Sequence, residues 1–399
     1  MAERRWGQDV RWLLAIILVA VNLRAVVASV PPLAVDLADD LHLGGVATGA
    51  LTTVPVVCMG LFAPTAALAS RRWSQSTVLS GGLVLIIVGG GLRAFGGAAG
   101  LYSATALAGV GIAVVGTLLP GLVRTRAPHR VGPLTGVYTA ALITGAFVAS
   151  SLAEPARLWL GVSAQAGLAV WALPAVLGLG AWLVVARSNG SGPTGHTVPV
   201  SASASPWRDR SAWVVTAFMA VQSLLFYASL AWLPVTAIEH GMSARDAGLL
   251  LGLFTVTQVV TAFLVPALAH RGGTDLRPWI VATLGTTTTG LLLTALVPYA
   301  FTGSLWLWAA LQGLGMGGHF ALALNTVTQV APSATAVPAY SGMAFFFGYS
   351  VAAIGPVLLG FLADATGGYE VPFLTLTALA VLALLLGLAA ANRARARVA

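Results

Sequence analysis

Lysine is absent from this 399-residue chain and acidic residues are scarce, with 12 Asp and Glu set against 20 basic residues that are all arginine. Cysteine is nearly absent too: the single Cys58 excludes an internal disulfide framework and a CxxC metal pair. Charged residues form only 8% of the chain and hydrophobic ones 58%, with a mean hydropathy of +0.89. That balance excludes an ordinary soluble domain. Alternation of apolar and polar residues over about ten positions, which a transmembrane barrel strand requires, is missing as well. So are HExxH, paired carboxylates and a Gly-rich phosphate loop, and no cofactor is implied.

What the chain does have is apolar stretches of about 20 residues, the length an α-helix needs to cross a hydrocarbon core about 30 Å thick. They fall near 12–35, 46–69, 77–96, 100–123, 132–153, 165–186, 211–236, 246–269, 278–298, 303–330, 339–362 and 370–391. The expectation is an all-α polytopic membrane protein with twelve transmembrane helices. Arg4 and Arg5 precede the first run as in a signal peptide, but the run is too long and lacks a small-x-small cleavage site, so it reads as a retained helix.

With the N-terminus placed in the cytoplasm, sixteen of the 20 arginines fall inside. Only Arg157 and Arg245 fall outside, while Arg24 and Arg93 lie within helices. This is the positive-inside asymmetry, and it puts both termini in the cytoplasm. The basic pI near 10.5 is therefore an orientation signal, and no nucleic-acid partner is expected.

The longest polar interruption, RSNGSGPTGHTVPVSASASPWRDR at 187–210, reads as a flexible linker. It divides the chain into an N-terminal six-helix bundle, 1–186, and a C-terminal six-helix bundle, 211–399. An offset of 200 residues pairs Asn22 with Gln222, Ala28-Ser29 with Ala228-Ser229, and Ala67-Leu68-Ala69 with Ala267-Leu268-Ala269, each triplet followed by an arginine, Arg71 or Arg271. Both halves start on the same side, so the repeats are parallel, as in the two halves of a major facilitator transporter with a substrate site at mid-membrane. Pro31-Pro32, Pro55, Pro64, Pro120, Pro234, Pro266 and Pro356 are expected to loosen helices, and Gly109, Gly111, Gly313, Gly315, Gly317 and Gly318 to open close-approach faces.

Arg24 is the strongest functional candidate. It sits in NLRAVVASVPPL with no acidic residue within ten positions, and a cation at bilayer depth costs about 2.5–3.5 kcal/mol. A cavity guanidinium would orient an anionic or nitro-bearing solute; the competing reading is a structural arginine bound to backbone carbonyls. Asn22 lies about 200° away on the helix and reads as interhelical glue. His319 has Gln312 and Thr326 seven residues away on either side, a polar stripe that suits substrate binding, proton coupling or helix packing. Gln222 and Tyr227 in the seventh span, with Ser223 beside them, and Tyr138 with Thr135 in the fifth are further candidates. Phe345, Phe346, Phe347 and Tyr349 offer an aromatic wall, although such runs also serve packing. Arg93 and Glu154 read as outer-end residues that snorkel or pair as a gate, and Asp36 as solvated. With no carboxylate at mid-membrane, the expectation is uniport, exchange, or coupling through His319.

NLRAVVASVPPL and QSLLFYASLAWLP resemble the cyanate and 2-nitroimidazole transporter family of the major facilitator superfamily. The resemblance continues through TTVPVVCMGLFAP, LRAFG, LTGVY and SGMAFFFGYSVAAIGPVLLGFL, and covers nearly all spans in order. It implies a monomeric secondary transporter of the bacterial inner membrane whose partners are a small-molecule substrate and membrane lipid. The chain departs from the family pattern at Gly116-Thr117 and Phe345, where an Asn and a Gln are expected, and LASRRWS lacks an acidic residue. Export of a drug or metabolite, a membrane-embedded enzyme and a non-transporting sensor are the alternatives.

Overall fold

The computed structural model describes residues 2–43, 45–188, 205–271, 275–298 and 303–398, and the described residues are helices joined by short turns. The expected linker lies mostly outside them. Eleven described helical segments are long and apolar enough to cross a membrane, against the twelve expected; at the expected second span the described apolar helix, Thr53–Ala69, is shorter. In chain order the helices are α1 (Ala2–Ala28), α2 (Ala34–Leu41), α3 (Gly45–Ala69), α4 (Gln75–Leu92), α5 (Gly97–Arg126), α6 (Val131–Leu160), α7 (Ala164–Val170) and α8 (Leu173–Ser188). They continue as α9 (Arg210–Glu239), α10 (Ala244–Arg271), α11 (Arg277–Leu296), α12 (Ser304–Val330), α13 (Val337–Ala352), α14 (Ile354–Thr366) and α15 (Glu370–Val398). Helix suits this setting because it satisfies every interior backbone group within one segment.

Three of the expected continuous spans are broken, each at a proline. The first ends as α1 before Pro31-Pro32, the sixth divides into α7 and α8 before Pro174, and the eleventh into α13 and α14 before Pro356. A proline supplies no N–H to the carbonyl four residues back. By contrast Pro55, Pro64, Pro120, Pro234 and Pro266 lie inside unbroken helices, so most of the expected loosening does not reach the helix assignment. At each break a side chain from another helix or its cap binds a carbonyl. Arg93 Nη1 donates to Val26 O at 2.6 Å, Asn22 Nδ2 to Pro174 O at 3.1 Å, and Trp232 Nε1 to Pro356 O at 2.8 Å.

The chain forms two compact units: unit 1 comprises 1–122 and 141–204, and unit 2 comprises 123–140 and 205–399. Within unit 1, α1 packs on α8, and α4 on both α7 and α8. Within unit 2, α12 runs between α10 and α11, while α9 packs on α13 and α15. Glycine makes the central position of α12 possible. A Cβ on Gly317 would meet Gln258 O of α10, and one on Gly315 would lie 2.5 Å from Thr283 O of α11. Opposite faces of one helix thus use small residues against different neighbours.

Asp209 ties the start of unit 2's C-terminal portion together. It caps α9 by accepting from Ser211 N–H at 2.8 Å, accepts from Tyr340 Oη at 2.6 Å, and pairs with Arg397 Nη2 at 2.7 Å. Burial pushes its carboxyl up, but the Tyr340 and Ser211 hydrogen bonds and the Arg397 charge outweigh this and hold it below its ordinary value.

Candidate functional site

Arg24 lies in unit 1, on the last two turns of α1, and is half-buried. Its helix is fixed from three sides. Val21 O touches the backbone of α6 at Gly145, where any Cβ would collide with it. Asn22 is fully buried and donates to Leu18 O at 2.6 Å and across to Pro174 O. Two residues beyond Arg24, Val26 O accepts from both Arg93 Nη1 and Ser29 Oγ. The Val30 N–H that would normally reach Val26 O turns instead to Val27 O at 3.2 Å, as the chain approaches Pro31. Side chains therefore replace a helical donor at this helix end.

That geometry corrects the reading of Arg93 as a snorkelling outer-end residue. Its side chain is fully buried, beside a Gln165 amide that donates to Arg93 O at 3.3 Å. Nor does Arg93 pair with Glu154. Glu154 binds Arg157 through both carboxylate oxygens, at 2.6 and 2.8 Å, and Arg157 also reaches Asp36 at 2.9 Å. Asp36 is thus ion-paired, and Arg157 stands in the last turn of α6 instead of a loop.

The other six candidates belong to unit 2. Three come together: the Tyr227 ring lies 6.4 Å from that of Tyr349 in an edge-on arrangement, and Phe345 stacks on Tyr349 at 5.6 Å. The aromatic run of α13 is nevertheless divided, because Phe347 turns to Trp207 at 6.1 Å and Trp213 at 5.1 Å. Gln222 does not extend the cluster with its amide, which is buried and donates to Ser223 Oγ at 2.7 Å and Met219 O at 3.1 Å. Tyr138 and Thr135 are buried one turn apart on α6, next to Gly136, whose missing Cβ lets α6 lie against Phe263 O of α10.

The polar stripe of α12 is fully buried at Gln312, His319 and Thr326. Gln312 donates to Thr294 Oγ1 of α11 at 2.9 Å, and Thr326 donates to Ala323 O on its own helix. His319 Nδ1 and Nε2 have no hydrogen-bond partner among the described residues. Among the described residues no three His, Cys, Asp or Glu side chains form a metal-sized cluster.

Sequence reasoning missed Arg124. Its Nη1 donates to Thr328 O and, at 2.8 Å, to Ala331 O at the end of α12, 204 and 207 residues away. An arginine that shares the last turn of α5 with Arg126 carries no local sign of such a partner.

Comparison with known proteins agrees with this architecture. The sequence matches the family described as Major Facilitator Superfamily over residues 12–286 and 236–398. An uncharacterized transporter, YycB, of Bacillus subtilis (strain 168) is 33% identical over 92% of this chain and 90% of its own length. The 2-nitroimidazole transporter of Escherichia coli (strain K12) is 32% identical over 94% of each chain. The cyanate transport protein CynX of the same organism is 31% identical over 90% of this chain and 91% of its own. In fold the chain is similar to the proton:xylose symporter XylE, with a TM-score of 0.74 at 15% identity over 95% of this chain and 94% of that one. The outward conformation of FucP gives 0.70 at 16% identity, over 96% and 98%.

Proposed function

The chain belongs to the Major Facilitator Superfamily, and we propose that this multi-pass secondary transporter moves a small anionic or nitro-bearing solute, cyanate- or nitroimidazole-like, by alternating access. The family and the relatives are transporters, not enzymes. Arg24 is the group we assign to hold the solute. One observation carries the reading: a half-buried guanidinium stands on an apolar helix that three neighbouring contacts keep in place. Its planar donors suit a cyanate or a nitro group, both of which present compact acceptor atoms. Two relatives named for those solutes support the substrate class. Tyr138, Gln222, Tyr227, His319, Phe345 and Tyr349 are further candidate contacts. The bacterial inner membrane, with both termini cytoplasmic, is the proposed location.

The test is counterflow in proteoliposomes preloaded with unlabelled cyanate or 2-nitroimidazole. Labelled solute should accumulate transiently above the level in protein-free vesicles, and Arg24→Ala should abolish it. If neither solute exchanges through well-folded protein, the substrate class is wrong.

A further inference from the structure

Unit 2 contains a cavity of about 710 Å³ where α5, α10, α12 and α15 end and α6 and α11 begin. All of its lining residues belong to that unit. Two guanidiniums, Arg124 and Arg397, and two imidazoles, His129 and His270, line it together with the amides of Asn325 and Gln329. No carboxylate is among the lining residues.

The arginines have a simpler role to be weighed, because helix C-termini attract cations. Arg397 is fully occupied by such work: it donates to Val330 O and pairs with Asp209. Arg124 is not. Only its Nη1 serves the carbonyls of Thr328 and Ala331, no carboxylate accompanies it among the described residues, and the contacts hold its plane still. A half-dipole at the end of α12 cannot neutralise a full charge. The surrounding chain adds Arg126, Arg130, Arg271, Arg277, Arg393 and Arg395 against Asp209 and Asp275 alone, so this end of the unit is strongly positive. Fixed guanidinium, imidazole and amide donors around an open space form a receptor for an oxyanion with several acceptor atoms.

We propose that this cavity binds a phosphate-type oxyanion, distinct from the solute held at Arg24. Its donors come from both sides of one close contact. Gly132 lies against α10, with a would-be Cβ 3.1 Å from Pro266 O and 3.2 Å from the His270 side chain. An anion there bridges the 128–132 segment to the end of α12 and stabilises the packing of residues 123–140 on the rest of unit 2.

The probes are inorganic phosphate and phosphatidylglycerol, applied to the full-length protein in nanodiscs. Thermal unfolding is followed against phosphate at constant ionic strength in phosphatidylcholine discs, and against phosphatidylglycerol content without phosphate. Saturable stabilisation by phosphate identifies a free anion as ligand, and stabilisation by phosphatidylglycerol alone identifies a lipid headgroup. In either case His129→Ala/His270→Ala, which alters two exposed side chains, should weaken the apparent affinity at least tenfold. Gln329→Ala should weaken it as well, and Arg24→Ala should leave it unchanged. Absence of saturable stabilisation by both probes, or stabilisation that the double variant retains in full, overturns the proposal; loss in Arg24→Ala instead assigns the effect to the transport site.

Discussion

Arg93 and Val26 are 67 residues apart in sequence, yet Arg93 Nη1 lies 2.6 Å from Val26 O, two residues beyond Arg24 on the same helix. The contact binds a backbone carbonyl that the chain's turn toward Pro31 has deprived of its helical donor. The same guanidinium leaves Nε and Nη2 without a protein acceptor among the described residues.

Those two facts pull in opposite directions for stability. Losing a charge-assisted hydrogen bond costs about 1.5–3 kcal/mol, whereas each unsatisfied buried donor costs about 1–3 kcal/mol. Two relieved donors outweigh one lost bond, and the desolvation cost of a buried cation is removed with them. Arg93→Met should therefore unfold at or above the wild-type temperature while transporting more slowly, because the end of α1 loses its tether. Calorimetry and a flux assay on the same preparation check this; a variant that unfolds many degrees lower would make the arginine a structural necessity.

For Arg24→Ala we expect normal yield and unfolding, with affinity for the transported anion reduced about 10- to 150-fold. That range converts a lost charge-assisted contact of about 1.5–3 kcal/mol. Equilibrium binding to purified protein measures it, and wild-type affinity would remove Arg24 from the site.

His319, fully buried on the polar face of α12, is proposed to contact the transported solute. His319→Leu should keep normal yield and unfolding while weakening equilibrium binding about 2- to 10-fold, the equivalent of one lost neutral hydrogen bond of about 0.5–1.5 kcal/mol. Wild-type affinity in a well-folded variant would leave the histidine a packing role.

Asp275 offers a pH effect outside the spans. Hydrogen bonds from Arg277, through its side chain at 2.6 and 2.9 Å and its backbone N–H at 3.0 Å, hold the Asp275 carboxyl down to about 2, with Arg395 at 3.8 Å adding to the effect. Because the folded value lies below the unfolded one, near 3.9, the stabilisation is present above about pH 4 and is lost as pH falls through about 2. The pair is exposed and its contribution small. The gap in unfolding temperature between wild type and Asp275→Asn should be widest above about pH 4 and close toward pH 2.

Orientation is checked by cysteine labelling in intact cells. With both termini cytoplasmic, a membrane-impermeant maleimide should label Asp39→Cys and spare Ser201→Cys, a position outside the described residues; the native Cys58 is buried. Equal labelling at both would overturn the proposed topology.

The succession of membrane helices was legible in the sequence because a bilayer imposes a local rule: each segment must satisfy its own backbone and present apolar side chains for about 20 residues. Arg24, a charge within an apolar run of sequence, was conspicuous for the same reason. Partners were not legible. An apolar face suits lipid as well as another helix, so nothing near Arg93 distinguished snorkelling from burial under α1, and Pro174 broke its span while Pro120 did not. Arg124 looked like one more orienting cation until the fold brought Thr328 and Ala331 to it across more than 200 residues. Composition and segment length determined how many times the chain crosses a membrane; only tertiary packing decided which polar groups meet, since hydrogen bonds and charge pairs depend on contacts at angstrom range that no local periodicity encodes.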